Sequence, residues 1–328
     1  MSAQLAPIIG VSPAMKKAIA LIERFAPTPL SIMLVGATGT GKELFAQHIH
    51  YASRRSGELV DVNCGALPQD LAESLLFGHR RGAFTGAVDS VTGHLQRADR
   101  GTLFLDEVLH LPVGAQVKLL RALETGEVQP LGAAPKRRVD LRVVSAAQED
   151  TPERLDRGLF RSDLFQRLAG IVIDLPLLVE RPEDIVPLAE HFAAALGQRL
   201  EAGCAHVLQD YGWPGNVREL RLVIERAGCL VKNGTLPPSV LRDAIELGLA
   251  RELRSDRRRG DRREKRSDRR LKRRPRFTYA ELLTTCEREE WNPERIAASL
   301  RVRRTTMYEE LRIAGISLRG SRKVETSA

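Results

Sequence analysis

The stretch Gly36-Ala37-Thr38-Gly39-Thr40-Gly41-Lys42-Glu43 follows the β-like run "SIMLV" and opens a helix-like one. In that context glycines let backbone N–H groups turn inward to cradle phosphates, and the helix N-terminus adds a favourable dipole. Lys42 would reach the β- and γ-phosphates of a nucleotide. The general pattern places Ser or Thr after the lysine to touch Mg²⁺; Glu43 stands there instead, which leaves a plain glycine-rich turn as the alternative. Downstream, the apolar run "GTLFL" ends in Asp106-Glu107. Acids at the C-terminal end of a strand lie where open α/β sheets bind ligands. There Asp106 would hold Mg²⁺ and Glu107 would polarise the attacking water. Paired acids are also common on surfaces; together with the loop they point to ATP and Mg²⁺. Arg161 and Arg167, in "FRSDLFQRL", could neutralise charge in a phosphoryl-transfer transition state. The other reading is a pair of surface ion-pairing arginines.

Such residues need a parallel sheet to position them. Short apolar runs alternate with amphipathic stretches from residue 9 to 175, the βα rhythm of that architecture. The runs 31–35, 59–63, 102–105, 141–146 and 171–175 read as strands. An α/β subdomain is therefore expected over 1–175 and a helical one over 176–250, where "PEDIVPLAEHFAAAL" is an amphipathic helix opened by Pro182. With 43% hydrophobic and 28% charged residues, the 328-residue chain has an ordinary globular composition. It lacks an apolar run near the roughly 20 residues of a membrane helix, and "MSAQLAPIIG" has no secretory pattern. Cys64, Cys204, Cys229 and Cys286 are scattered without C-x-x-C spacing. That argues against a disulfide framework or a zinc site and fits a reducing cytoplasm.

The net charge of +9 is localised: residues 251–276 hold 15 Lys/Arg against 5 Asp/Glu, so the rest of the chain is close to neutral. Almost without apolar residues, this strap cannot bury a core and reads as a flexible linker with non-specific affinity for DNA; a dedicated phosphate-contacting arm and a site for an acidic partner are the alternatives. From 277 to 328 the apolar pattern returns as a small helical domain. Within it, "WNPERIAASLRVRRTTMYEELRIAGI" reads as a helix-turn-helix, with Asn292 as N-cap and the turn near Leu300–Arg303. Ile296, Leu300, Met307 and Leu311 would face inward, while Arg303, Arg304, Thr305, Thr306 and Tyr308 would face DNA. A plain helical hairpin is the alternative.

The motifs "GATGTGKE", "VNCGAL", "LLFGHRRGAFTGA", "GTLFLDE", "FRSDLFQRL", "ERPEDI" and "YGWPGNVREL", in this order and spacing, resemble those of bacterial enhancer-binding proteins. These are sigma-54-dependent transcriptional activators of the AAA+ superfamily. The resemblance implies an AAA+ phosphate-loop core with a helical lid and a Fis-type DNA-binding end, assembled as a ring, usually a hexamer. It implies that the loop Gly82-Ala83-Phe84-Thr85-Gly86-Ala87 projects from the ring and touches sigma-54 in the RNA polymerase holoenzyme. Asn63 would pair with Glu107 and report γ-phosphate status to that loop. Arg161 and Arg167 would be fingers offered to the neighbouring subunit's ATP, Gln148 a phosphate sensor, and Arg218 the lid arginine acting on its own nucleotide. Residues 129–138 match a second loop that moves with the first.

The chain departs from the family pattern at Ala37, where Glu is usual, at Ala147-Gln148 in place of Thr-Asn, and at Leu222 in place of Asn. Only about eight residues precede the α/β pattern, against the roughly 50 of a small folded domain. Control by abundance, by a regulatory protein acting in trans, or by co-assembly with a related subunit is thus expected. The resulting expectation is an activator that binds an upstream DNA element and uses ATP hydrolysis to open the sigma-54 promoter complex. The competing readings are a DNA-binding regulator whose ATPase serves only for oligomerisation, and an AAA+ remodeller with an unrelated client.

Overall fold

The computed structural model describes residues 6–132, 135–148, 151–231, 234–248, 279–289, 293–300 and 307. The chain forms two compact units, Met1–Gly248 and Leu249–Ala328. The first is built on five parallel strands, β1 (Ile32–Val35), β2 (Leu59–Asn63), β3 (Thr102–Asp106), β4 (Arg142–Ala147) and β5 (Ile171–Asp174), in the order β2-β3-β4-β1-β5. Sequence neighbours β1 and β2 are thus separated by two strands. Their C-terminal ends all open on one edge, where β1 passes into the phosphate loop.

The three central strands β3, β4 and β1 are buried on both faces, and the alternation of side chains splits them between two cores. Ile32, Leu34, Phe104, Val144 and Ile173 pack with Met15, Ile22, Phe45 and Ile49 of the helices Pro13–Phe25 and Lys42–Ser53. On the opposite face Met33, Leu103, Leu105 and Val143 pack with Leu76, Leu119 and Leu164 of the helices Ala72–Phe77, Val113–Thr125 and Ser162–Leu168. The first helix has the expected start signals: Pro13 in its first turn and Ser12 as N-cap, whose Oγ accepts from Met15 N at 3.3 Å.

Beyond β5 the unit is helical, with helices Pro182–Ala195, Cys204–Gln209 and Asn216–Leu230 and a further one over 238–248. Trp213 is fully buried here and donates its indole N–H to Leu208 O at 2.7 Å. Of the four cysteines, Cys64, Cys204 and Cys286 are buried and Cys229 is exposed. Among the described residues no helix is long and apolar enough to cross a membrane.

The second unit contains the helices Tyr279–Arg288 and Pro293–Ser299, with Leu282, Cys286, Ile296, Ala297 and Met307 buried. Ile296 and Met307 are thus inside as their pattern requires. The basic strap 251–276 and the residues Asn292, Arg303, Arg304, Thr305, Thr306, Tyr308 and Leu311 lie outside the described residues.

Candidate functional site

The phosphate loop is shaped by two glycines in the left-handed region, Gly39 at φ +82° and Gly41 at φ +110°. They are required for different reasons. A Cβ on Gly39 would stand 2.3 Å from Gly215 O, so the backbone of the helical part closes directly on it. Around Gly41 nothing lies within 4 Å of where a Cβ would be, and its left-handed turn leads straight into the helix at Lys42. That combination of open space and unpaired N–H groups at a helix start is a cradle for an anion. Thr40 Oγ1 donates to Ala37 O at 2.9 Å, and Lys42 Nζ donates to Gly36 O at 2.7 Å and Ala37 O at 2.9 Å. Burial lowers the Lys42 pKa from its ordinary value; Asp106 and Glu107 push it back up, and Arg218 lowers it further. The ammonium therefore sits in the field of both acids and of the helical arginine.

The acids close the β3 end of the site. Asp106 is the strand partner of Asn63, and its Oδ1 accepts from Glu107 N at 3.0 Å. Glu107 itself has φ +50°, an unusual backbone for a side chain of its kind. Its carboxylate Oε2 lies 3.9 Å from His110 Nδ1 and only 2.1 Å from where a Cβ on Gly65 would be, so the acid rests on a glycine that must stay bare. Asn63 is the neighbour of this contact, its Oδ1 accepting from Ala66 N at 3.0 Å.

Thr38, Gly39, Thr40, Gly41, Lys42, Glu43, Asn63, Asp106, Glu107, Gln148 and Arg218 all line one cavity of about 810 Å³. Gly36 and Ala37 are not part of its lining; their carbonyls accept from Lys42 Nζ. Its size suits a nucleotide. Of the departures only Gln148 lines it: Ala147 is buried in β4, its carbonyl accepting from Gly36 N at 3.2 Å, and Leu222 is exposed. Among the described residues, no group of three or more His, Cys, Asp or Glu could hold a metal on protein ligands alone.

Two further residues that sequence reasoning did not single out grip the loop, and a third, Asp184, holds one of them. Asn216 is 2% exposed, and its amide donates to Thr38 O at 3.1 Å while its Oδ1 accepts from Leu178 N at 2.8 Å. Arg181, equally buried, donates to Thr40 O at 3.2 Å and lies 3.9 Å from the Asp184 carboxylate. Asp184 in turn accepts from Val11 N at 2.6 Å, Ser12 N at 2.8 Å and Ser12 Oγ at 2.7 Å. With Arg218 N donating to Gly39 O at 3.3 Å, three successive loop carbonyls are held from the helical part. The signals were in "GNVREL", where Asn216 beside the named arginine is buried, and in "ERPEDI", whose Arg181 and Asp184 are both buried.

Arg161 and Arg167 are not in this cavity. Both are exposed: Arg161 makes two hydrogen bonds to Asp163, at 3.0 and 2.6 Å, and Arg167 donates to Leu123 O at 2.9 Å. The Gly82–Ala87 loop also stands apart from it, on a short antiparallel stem pairing Gly78 with Thr92 and His79 with Val91. Two tight turns close it, Ala83 N donating to Arg80 O and Ala87 N to Phe84 O, both at 3.0 Å. Gly82 (φ +79°) and Gly86 (φ +100°) have open space about them. Phe84 is 38% exposed, its ring edge-on to His79 at 5.0 Å; Thr85 is exposed, Ala83 half-buried and Ala87 buried. The segment from residue 129 is bonded to this stem, Leu131 N donating to Gly78 O at 2.9 Å and Arg80 N to Leu131 O at 3.0 Å.

The sigma-54 interaction domain family matches residues 8–174, and the AAA+ ATPase lid domain family matches 179–257. The chain is 49% identical over 228 residues to the nitric oxide reductase transcription regulator NorR2 of Cupriavidus necator, covering 67% of this chain and 44% of that protein. It is 44% identical over 232 residues to the sigma54-dependent transcriptional regulator SfnR of Pseudomonas fluorescens, covering 68% of this chain and 63% of that one. The chain thus spans about half to two thirds of the length of these relatives. Among solved structures, NtrX of Brucella abortus in complex with ATP aligns over 94% of this chain and 70% of its own, at 29% identity and a TM-score of 0.67. Parallel sheet, phosphate loop, strand-end acids and helical lid match the family models over most of the first unit: the chain belongs to the sigma-54 interaction domain family of AAA+ ATPases.

Proposed function

We propose that this chain is an ATP-hydrolysing transcription activator that remodels the sigma-54 RNA polymerase holoenzyme through the Phe84 loop. The observation that carries the reading is the convergence of phosphate loop, strand-end acids and lid arginine on one cavity, while an aromatic-tipped loop stands clear of it on its own stem. In the cavity Lys42 would hold the β- and γ-phosphate oxygens against the acids, and the bare helix start at Gly41 would supply N–H donors. Asp106 fits a magnesium ion shared with the phosphates, since Oδ1 is already oriented by Glu107 N. When bound, the ion neutralises charge on the transferring phosphoryl group. Glu107 would orient and polarise the attacking water, and Gln148 and Arg218 would contact the γ-phosphate side.

Arg161 and Arg167 are exposed and lie outside their own cavity, which supports their serving a neighbouring subunit's nucleotide in a ring, read as a hexamer of identical or related chains. Hydrolysis then depends on assembly. Asn63 leads through Cys64–Ala66 to the helix Ala72–Phe77, at whose end Gly78 begins the loop stem. A shift of the Glu107 carboxylate against Gly65 and Asn63 therefore acts on the helix that carries Phe84. Phe84 and Thr85 would dock on sigma-54. Arg303, Arg304, Thr305, Thr306 and Tyr308 would read an upstream DNA element in the cytoplasm, with the basic strap adding phosphate contacts.

The test is promoter opening in vitro with sigma-54 polymerase, ATP and the purified chain. ATP-dependent opening that Lys42→Ala and Thr85→Ala each abolish, the latter with turnover retained, is the expected result. A turnover rate indifferent to Lys42→Ala would leave a regulator that uses the fold for oligomerisation alone.

A further inference from the structure

Gln116, on the helix Val113–Thr125, is fully buried, and its amide uses both of its N–H donors and its oxygen. Its Nε2 donates to Leu111 O at 2.8 Å and to Leu159 O at 3.1 Å, while its Oε1 accepts from Arg161 N at 2.9 Å. Two carbonyls on one side and an N–H on the other fix the amide's orientation uniquely. The three partners belong to two segments far apart in sequence. Leu111 ends the turn that starts at Glu107, a turn closed by His110 N on Glu107 O at 2.9 Å and Leu111 N on Val108 O at 3.1 Å. Leu159 and Arg161 flank the buried Phe160 and lead into the helix Ser162–Leu168.

A second tie runs in parallel: Arg154 Nη1 donates to Leu109 O at 3.1 Å, and Arg154 O accepts from Leu159 N at 3.0 Å. The backbone carrying the strained Glu107 and the backbone carrying Arg161 are therefore bonded to each other through side chains. A core position filled by packing alone would take a leucine or methionine, because a buried amide is favourable only when its partners are all in place.

We propose that Gln116 is a positioning residue that sets the place from which Arg161 is offered to the neighbouring subunit's nucleotide, relative to the acid turn of its own subunit. The proposal rests on the reading of Arg161 as a finger acting in trans. Gln116→Met conserves volume but leaves Leu111 O, Leu159 O and Arg161 N without their partner. It should lower kcat for ATP by about 10- to 100-fold, the scale of a small misplacement of a reacting group, with KM within about twofold. Gln116→Glu keeps the acceptor and loses the donors; the same behaviour is expected of it with a smaller loss, so the test does not hang on one variant folding.

Mixing full-length variants decides whether the defect lies in the finger. Lys42→Ala has a disabled cavity and an intact finger, and Arg161→Ala the reverse, so their mixture should regain turnover. Gln116→Met should regain turnover when mixed with Lys42→Ala and stay silent with Arg161→Ala. Recovery with Arg161→Ala would place the defect in the subunit's own acid turn and overturn the proposal, and so would recovery with neither partner or an unchanged kcat. Silence of the control mixture of Lys42→Ala with Arg161→Ala would instead remove the trans reading of Arg161, and this proposal with it.

Discussion

Gly39 and Gly86 both adopt positive φ, +82° and +100°, yet their surroundings could hardly differ more. The first is pressed against Gly215 O and the Arg218 Cβ; the second has nothing within 4 Å of where a Cβ would stand. The contrast extends to the regions around them. The phosphate loop is held from outside, its carbonyls taken up by Asn216, Arg218 N and Arg181. The Phe84 loop is held mostly by its own turns and by the stem and Leu131 below them. One glycine is needed for close approach and the other for an unhindered change of direction. The first arrangement keeps a cavity in one shape, and the second leaves the proposed contact loop room to turn.

Substitutions can break or sharpen this division. The largest effect is expected of Glu107→Gln, which keeps the shape of the side chain and should reduce steady-state phosphate release by about 10²–10⁴-fold while ATP binding persists. Phe84→Ala should leave phosphate release within about twofold but weaken capture of the sigma subunit by about 2 kcal/mol or more, the scale of an aromatic interface anchor; crosslinking in trapped nucleotide states measures it. Equal losses of hydrolysis in both variants would mean that cavity and loop are not separable. Asn216→Ala leaves Thr38 O and Leu178 N unpaired in a buried place and should cost about 1–3 kcal/mol, read by denaturant unfolding and as weaker ATP binding. The smallest effect falls on Gly86→Ala, about 1–2 kcal/mol of backbone strain with no clash. The matched Gly39→Ala should exceed it clearly, because the contact with Gly215 O must also be broken. Equal unfolding curves for these two would sink the distinction on which the comparison stands.

Much of this arrangement was legible in the sequence because the strongest local signals coincide with backbone necessity. The five strands fell on their apolar runs, and "GATGTGKE" could be read as a strand-to-helix loop because glycine spacing and the following amphipathic run agree. The order β2-β3-β4-β1-β5 was not readable from periodicity, since parallel pairing is decided by crossovers and packing rather than by any strand's own residues. Asn216, Arg181, Asp184 and Gln116 were equally hidden. A polar residue that is buried and fully bonded looks, in sequence, like one that faces water. Even Phe84, expected at an open tip, keeps part of its ring against His79, a contact that only the stem geometry creates.

Cys229 gives these ideas a handle the chain already carries. It is the exposed thiol among four, and it lies on the same helix as Arg218, about three turns further on. A maleimide dye added to the unaltered protein should therefore report from a single address. Its fluorescence would follow any tilt of that helix as nucleotide enters, is cleaved and departs.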